Sequence, residues 1–240
     1  MVYVTGDMHR EEARLHDRRI KRLKKRDTLI ILGDFGFVWD DSDWEKKIHK
    51  HLGKRRYNVC FLDGTNENHD LLNKYPLTVW SGGKVHRINN RLFHMCRGQI
   101  FDIDGYKIFT FGGGESPDRE MRTEHKTWWR EEMPARAELE EGVENLEELS
   151  CQVDFILTHE PPALIKRSIA ARRSKPEQVS KLNCYLQEVN NNCTFKKWYF
   201  GSCHEDKIIT PVHTAVYQEI LPVEDLKKKK KRQGDSQGGN

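Results

Sequence analysis

Five short apolar runs in this chain each end in residues that can hold a metal, and this repetition constrains the fold more than any other feature. Val2-Tyr3-Val4-Thr5 leads into Gly6-Asp7-Met8-His9, and Thr28-Leu29-Ile30-Ile31-Leu32 leads into Gly33-Asp34. Asn58-Val59-Cys60-Phe61-Leu62 leads into Asp63-Gly64-Thr65-Asn66-Glu67. Further on, the run 153–158 is followed by His159, and the run 197–200 by Gly201-Ser202-Cys203-His204. Runs of this length and composition, bounded by Gly and Asp, read as buried strands. Strand ends deliver side chains to one edge of a sheet, where open α/β folds place their ligand sites. One aspartate after a glycine is ordinarily a turn or a cap, and a lone histidine is ordinarily a partly buried ring. Five in series argue for a shared centre. Imidazole and carboxylate together suit zinc, manganese, iron or nickel.

Between these runs the periodicity changes. It predicts a charged helix over 11–26, with Ala13, His16, Ile20 and Leu23 on one stripe, and a helix through Trp44, Ile48 and Leu52. Further helices are predicted over 135–149 and 177–190, and closing strands over 207–210 and 215–217. Two strand-like runs flank Asp104-Gly105, a strong two-residue hairpin signal. Strands and helices interleaved, with hairpins in the middle and at the end, predict an α/β fold: a two-sheet mixed β-sandwich flanked by helices, in one domain over 1–224.

Composition narrows the setting. No apolar run approaches the roughly 20 residues of a membrane helix, and the amino terminus shows no signal-peptide pattern. The expected location is cytoplasmic, in a bacterial or phage setting. Six cysteines lack any Cys-x-x-Cys pair, and the spacing of Cys184, Cys193, Cys203 and His204 fits no usual zinc pattern, so they read as core or idle thiols. Residues 225–240 carry six basic groups against Asp225 and Asp235, which accounts for the whole net charge of +4. That stretch reads as a disordered basic tail. Nucleic acid or an anionic surface is one partner for it, against the plainer reading of a solvated tail.

Taken in order, Gly6-Asp7-Met8-His9, Gly33-Asp34, Gly64-Thr65-Asn66-Glu67, Thr158-His159 and Gly201-Ser202-Cys203-His204 resemble the motif series of calcineurin-like metallophosphoesterases. Leu32 to Gly36, Trp80 to His86, Arg97-Gly98-Gln99, Phe111-Gly112-Gly113 with Ser116, Asp118 and Arg122, and Trp128-Trp129 resemble a compact bacterial and phage subgroup. The resemblance spans roughly residues 1 to 220. It implies the calcineurin-like fold and a metal-dependent phosphatase or phosphodiesterase, in which metal-bound hydroxide attacks a phosphomonoester or phosphodiester. Position by position, it implies that Asp7, His9, Asp34 and His204 hold a first divalent metal. Asp34 would bridge to a second, which His159 also binds.

The chain departs from that pattern at three places. Thr65 stands where the family has a second-metal asparagine, Asn66 where it has the histidine that assists the leaving group, and Ser202 where it has another second-metal histidine. The expectation is one strong site for manganese, iron, zinc or nickel and a weak second one. Asn66 then occupies the acid position without being able to release a proton. Two readings follow: a weakened phosphoesterase acting on a phosphate ester, or a catalytically degenerate member serving as a metal- or ligand-binding module. Phe35, Phe37, Trp39, Trp128 and Trp129 either line a substrate wall or belong to the core.

Overall fold

The computed structural model describes residues 1–174 and 178–223. The strands in chain order are β1 (Val2–Thr5), β2 (Thr28–Ile31), β3 (Asn58–Phe61), β4 (Leu77–Trp80), β5 (Gly83–Arg87) and β6 (Leu92–Met95). There follow β7 (Gln99–Ile103), β8 (Tyr106–Phe111), β9 (Phe155–Thr158), β10 (Lys197–Phe200), β11 (Lys207–Ile208), β12 (His213–Ala215) and β13 (Leu221–Pro222). They form two mixed sheets, ordered β13-β1-β2-β3-β6-β5-β4 and β11-β12-β10-β9-β8-β7. The helices are α1 (Glu12–Leu15), α2 (Arg18–Lys21), α3 (Asp43–Gly53), α4 (His69–Leu72), α5 (Arg136–Glu148), α6 (Ala163–Arg173) and α7 (Lys181–Asn192).

Alternation along the strands builds three apolar layers. In β2 and the residue after it, Ile30 and Leu32 face the second sheet, where they join Phe101, Ile108 and Leu157, while Leu29 and Ile31 pack outward on Leu15, Ile48 and Leu52. The second sheet repeats this: Tyr199 points into the sandwich, and Trp198 and Phe200 pack outward with Leu182 and Leu186 of α7. A central strand covered on both faces needs an unbroken apolar run, which is why 28–32 shows no polar alternation. Each such side chain contributes about 1.5–3 kcal/mol on burial. β1, β2 and β3 run parallel, as do β8, β9, β10 and β12. The loops after the carboxyl ends of β1, β2, β3, β9 and β10 carry Asp7, His9, Asp34, Thr65, Asn66, His159, Ser202 and His204.

Several expectations change. The helix predicted over 11–26 is two single turns. Asp17 accepts from the Arg19 amide (2.7 Å) and caps a new helix, because a short acidic side chain competes for the backbone and favours a cap over a helix interior. Arg14 also turns inward, donating to the carbonyls of Asp7, Gly6 and Tyr217. The helix predicted over 177–190 begins at Lys181, where Ser180 accepts from the Asn183 amide and Asn183 Oδ1 accepts from the Ser180 amide; Glu177 lies outside the described residues, as does the basic stretch 225–240. The closing strands are shorter than predicted and shifted, at 207–208 and 213–215. The meander β4–β6 and the helix α6 were not predicted. Ser81 (φ 50°) and Gly82 (φ 93°) make the same two-residue turn as Asp104 (φ 56°) and Gly105 (φ 80°), so a Ser-Gly signal was there to be read. Among the described residues no helix is long and apolar enough to cross a membrane.

Candidate metal centre

The carboxyl ends of β1, β2, β3, β9 and β10 meet at one edge of the sandwich. There the ligand atoms of Asp7, His9, Asp34 and His204 all lie within 4.8 Å of one another. His9 Nε2 is 2.9 Å from His204 Nε2, 3.6 Å from Asp34 Oδ2 and 3.9 Å from Asp7 Oδ2. His204 Nε2 is 3.0 Å from Asp7 Oδ2. His159 stands behind them, with Nδ1 3.4 Å from Asp7 Oδ1 and Nε2 3.8 Å from Asp34 Oδ1.

The backbone is bent to achieve this. His9 (φ 46°), Asp34 (φ 43°), Ser202 (φ 48°) and His204 (φ 48°) are all left-handed, a conformation that costs a non-glycine residue about 1–3 kcal/mol. Hydrogen bonds hold the loops there: the Asp34 carbonyl accepts from the amides of Met8 (3.0 Å) and His9 (2.8 Å). The Ser202 amide donates to Asp7 Oδ1 (3.2 Å), and the Thr65 amide to Asp34 Oδ1 (2.6 Å). Close approach explains the glycines. A Cβ on Gly33 would strike the His159 ring, and one on Gly64 would strike Asp34.

Charge is concentrated here. Burial would raise the Asp7 pKa, but the charges and hydrogen bonds of His159 and His204 outweigh it and hold the carboxyl well below the usual range. Asp34 is raised, by burial first and by the neighbouring Asp7. Burial would lower His159, but Asp34 and Asp7 hold it well above the ordinary imidazole value. His204 is raised by its contact with Asp7. Two buried carboxylates side by side require a compensating positive charge.

A divalent cation fits that requirement. Asp7 Oδ2 is buried, and its close neighbours are the imidazole nitrogens of His204 and His9, which face each other beside it. His159 Nδ1 lies 3.0 Å from the Leu32 carbonyl, so Nδ1–H donates there, and a cation displacing the second proton would find the Nε2 lone pair on the Asp34 side. His9 Nδ1 lies 3.4 Å from the Asn66 amide nitrogen. A cation on His9 Nε2 requires Asn66 turned by half a rotation, so that Nδ1–H donates to its oxygen.

Thr65, Asn66 and Ser202 lie around this cluster. Thr65 Oγ1 is 3.4 Å from Asp34 Oδ1, Asn66 touches His9, and Ser202 Oγ meets Cys203 Sγ at 3.8 Å. Hydroxyls in those positions are weaker donors to a cation than an amide carbonyl or imidazole. Of the aromatic residues, Phe35, Phe37 and Trp129 are buried core and line no wall, while Trp39 and Trp128 are half-buried.

Sequence reasoning missed the supporting layer. Glu67 accepts from the amides of Phe35 (2.6 Å), Gly36 (3.3 Å) and Gly64 (2.7 Å), and so clamps the loops after β2 and β3 together. Burial and the adjacent Asp34 push its pKa up to about 8. Asp63 is held by Arg97 and His94, and its carbonyl accepts from the Gly113 amide. Ser116 donates to Glu132 (2.6 Å), and Arg122 pairs with Asp118 (2.8 Å). Asp63, through the Gly113 amide and through Arg97, which also donates to the Glu131 and Glu132 carbonyls, fastens the 112–132 segment to the loop after β3, while the other two contacts brace that segment internally. Asp63 and Glu67, on either side of Gly64 just after β3, were the available signal.

The model of the calcineurin-like phosphoesterase family matches residues 1–201. No curated protein matches the chain.

Proposed function

The chain belongs to the calcineurin-like phosphoesterase family, and on that premise we propose that it hydrolyses a phosphomonoester or phosphodiester at the edge where Asp7, His9, Asp34 and His204 converge. The observation that carries this is the set of two carboxylates and two imidazoles whose ligand atoms lie within 4.8 Å of one another. These four residues would hold a divalent ion of the manganese, iron, zinc or nickel class. Such an ion supplies Lewis acidity: it lowers the pKa of water toward neutrality and offsets charge on the phosphoryl oxygens. Asp34 and His159 would contribute to a weaker second position.

The chain's own residues do the positioning. Glu67 and the Asp34 carbonyl fix the two loops that present Asp34 and His9. The Leu32 carbonyl sets the His159 tautomer. Asn66, beside His9, orients a leaving oxygen by hydrogen bonding without transferring a proton, which leaves unused a contribution of about 10²–10⁴ in rate.

A second reading, a metal- or ligand-binding module with little turnover, draws on the Thr65, Asn66 and Ser202 side chains. Manganese- and nickel-dependent hydrolysis of generic mono- and diesters separates the two. The proposal expects turnover that is lost in Asp7→Asn and His204→Ala together with the bound metal. Metal retained by the native protein without turnover on any ester would favour the module.

A further inference from the structure

A second cluster of metal-competent side chains lies outside this centre. β5 and β6 are antiparallel neighbours, and His86 pairs directly with His94 in their register. Cys96 follows His94 by two residues and so returns to the same face. The ligand atoms of His86, His94 and Cys96 lie within 4.8 Å of one another. They line a cavity of about 530 Å³, which His69 also lines.

The hydrogen bonds fix which nitrogen of His94 is free. His94 Nε2 is 3.1 Å from Asp63 Oδ1. Burial would raise the Asp63 pKa, but Arg97 and His94 hold it well below the usual range, so the carboxylate is ionised and only accepts. His94 Nε2 therefore carries a proton, and in that tautomer the ring's lone pair lies on Nδ1. That atom faces His86 Nδ1 at 3.0 Å, with the ring planes 7° apart. A histidine whose far nitrogen donates to a carboxylate while its near nitrogen faces other donors is the arrangement found around bound zinc.

One alternative is a plain hydrogen bond from His86 Nδ1–H to His94 Nδ1. It leaves two facts without a role. Cys96 closes the cluster at the cavity wall, and His69 Nε2 on the same cavity is buried with no hydrogen-bond partner. Burial holds His69 and His86 at about 4, so both rings are neutral and free to donate lone pairs at neutral pH. The Cys96 thiol, pushed up to about 12 by burial, keeps its proton until a cation displaces it.

We infer that His86, His94 and Cys96 form a second metal site, with its fourth position open toward the cavity that His69 also lines, selective for a borderline-soft cation such as zinc. Two imidazoles and one thiolate, with a fourth position open to a third imidazole, are a zinc-type set. The hard manganese ion prefers oxygen donors and suits the carboxylate-rich centre instead. Binding releases the Cys96 proton to solvent and forms one metal–sulfur bond. The site lies on the neighbouring strands β5 and β6, beside the cavity that His69 of α4 also lines.

Cobalt(II) on the full-length chain tests this, because the Asp7 centre offers no sulfur. Cys203 adjoins His204, so the measurement is made in a Cys203→Ser background. The expected result is a near-ultraviolet thiolate-to-cobalt charge-transfer band, titrating to one per chain, displaced by zinc and abolished by Cys96→Ser. His86→Ala should weaken cobalt binding at least tenfold. Should Cys96→Ser not fold, X-ray absorption of the zinc-loaded Cys203→Ser protein gives the same answer through a sulfur ligand at about 2.3 Å. No thiolate band and no sulfur scatterer, or a band that survives Cys96→Ser, overturns the assignment and leaves a structural histidine pair. Loss of hydrolysis at the Asp7 centre moves none of these readouts.

Discussion

Restoring the family's residues at the three departures, by Thr65→Asn, Asn66→His and Ser202→His together, should raise turnover sharply. The hydrogen bonds that tie Thr65 to Asp34 and Ser202 to Asp7 come from backbone amides, so they survive the substitutions. Ser202 already sits at φ 48°, and histidine is among the residues that tolerate that region. The stability cost is therefore small, about 1 kcal/mol at most by the measure of ordinary surface changes. Asn66 adjoins His9, so an imidazole there stands beside the centre with a proton to give. The acid alone is worth about 10²–10⁴ in rate, or about 3–5 kcal/mol of barrier. The assay is kcat/KM with manganese or nickel on an alkyl phosphate and on nitrophenyl phosphate. The alkyl ester should gain more, because a nitrophenolate leaves without protonation. Single reversions should do little, since the groups act as a unit. A folded, metal-loaded triple variant that stays silent on every mono- and diester refutes the reasoning and favours the binding module.

Other outcomes follow from the same geometry. Lowering the pH should destabilise the fold between about 6.5 and 4: His69 is held at about 4 by burial, so the unfolded chain takes up the proton first, and stability present above 6.5 is lost as the pH falls, by about 3 kcal/mol for this one group. Thermal unfolding across that window checks it, and His69→Gln should flatten the slope. Arg97→Met should cost about 3–5 kcal/mol, because Asp63 is left charged and buried without its partner; denaturant unfolding measures it, and a loss under 1 kcal/mol would mean that water reaches Asp63. Removing 225–240 should leave the melting temperature within a few degrees, since the sheets close with β13 at 221–222; a larger drop would show that the basic stretch is docked.

The centre was legible because its residues are local: each follows its own strand by one to five positions, and the sheet edge does the gathering. The β-sandwich was legible because buried strands leave unbroken apolar runs. The helices were harder. The stripe Ala13, His16, Ile20 and Leu23 has helical spacing, yet Asp17 interrupts it, and only the contacts of Arg14 with the Asp7 loop show which preference wins. α6 follows Pro161-Pro162 and carries five basic or hydroxyl residues among eleven, so its pattern is weak. β4 alternates exposed and half-buried positions at a sheet edge, which hides it among loops. The pairing of His86 with His94 was invisible because it depends on register between strands, and no spacing along the chain encodes it.

His9 and His204 stand 195 residues apart in sequence yet meet at 2.9 Å, which gives an ion held between them a consequence for the whole polypeptide. Such an ion would act as a reversible clasp between two distant parts of the chain, binding the folded arrangement and not the open polypeptide. The clasp would tighten by mass action, by about 2.7 kcal/mol when free metal reaches a hundred times its dissociation constant. Chelator-stripped protein should therefore exchange amide hydrogens fastest along the facing ends of β1 and β10, and a ribosome-bound chain that stops short of residue 204 should be unable to close the clasp at all.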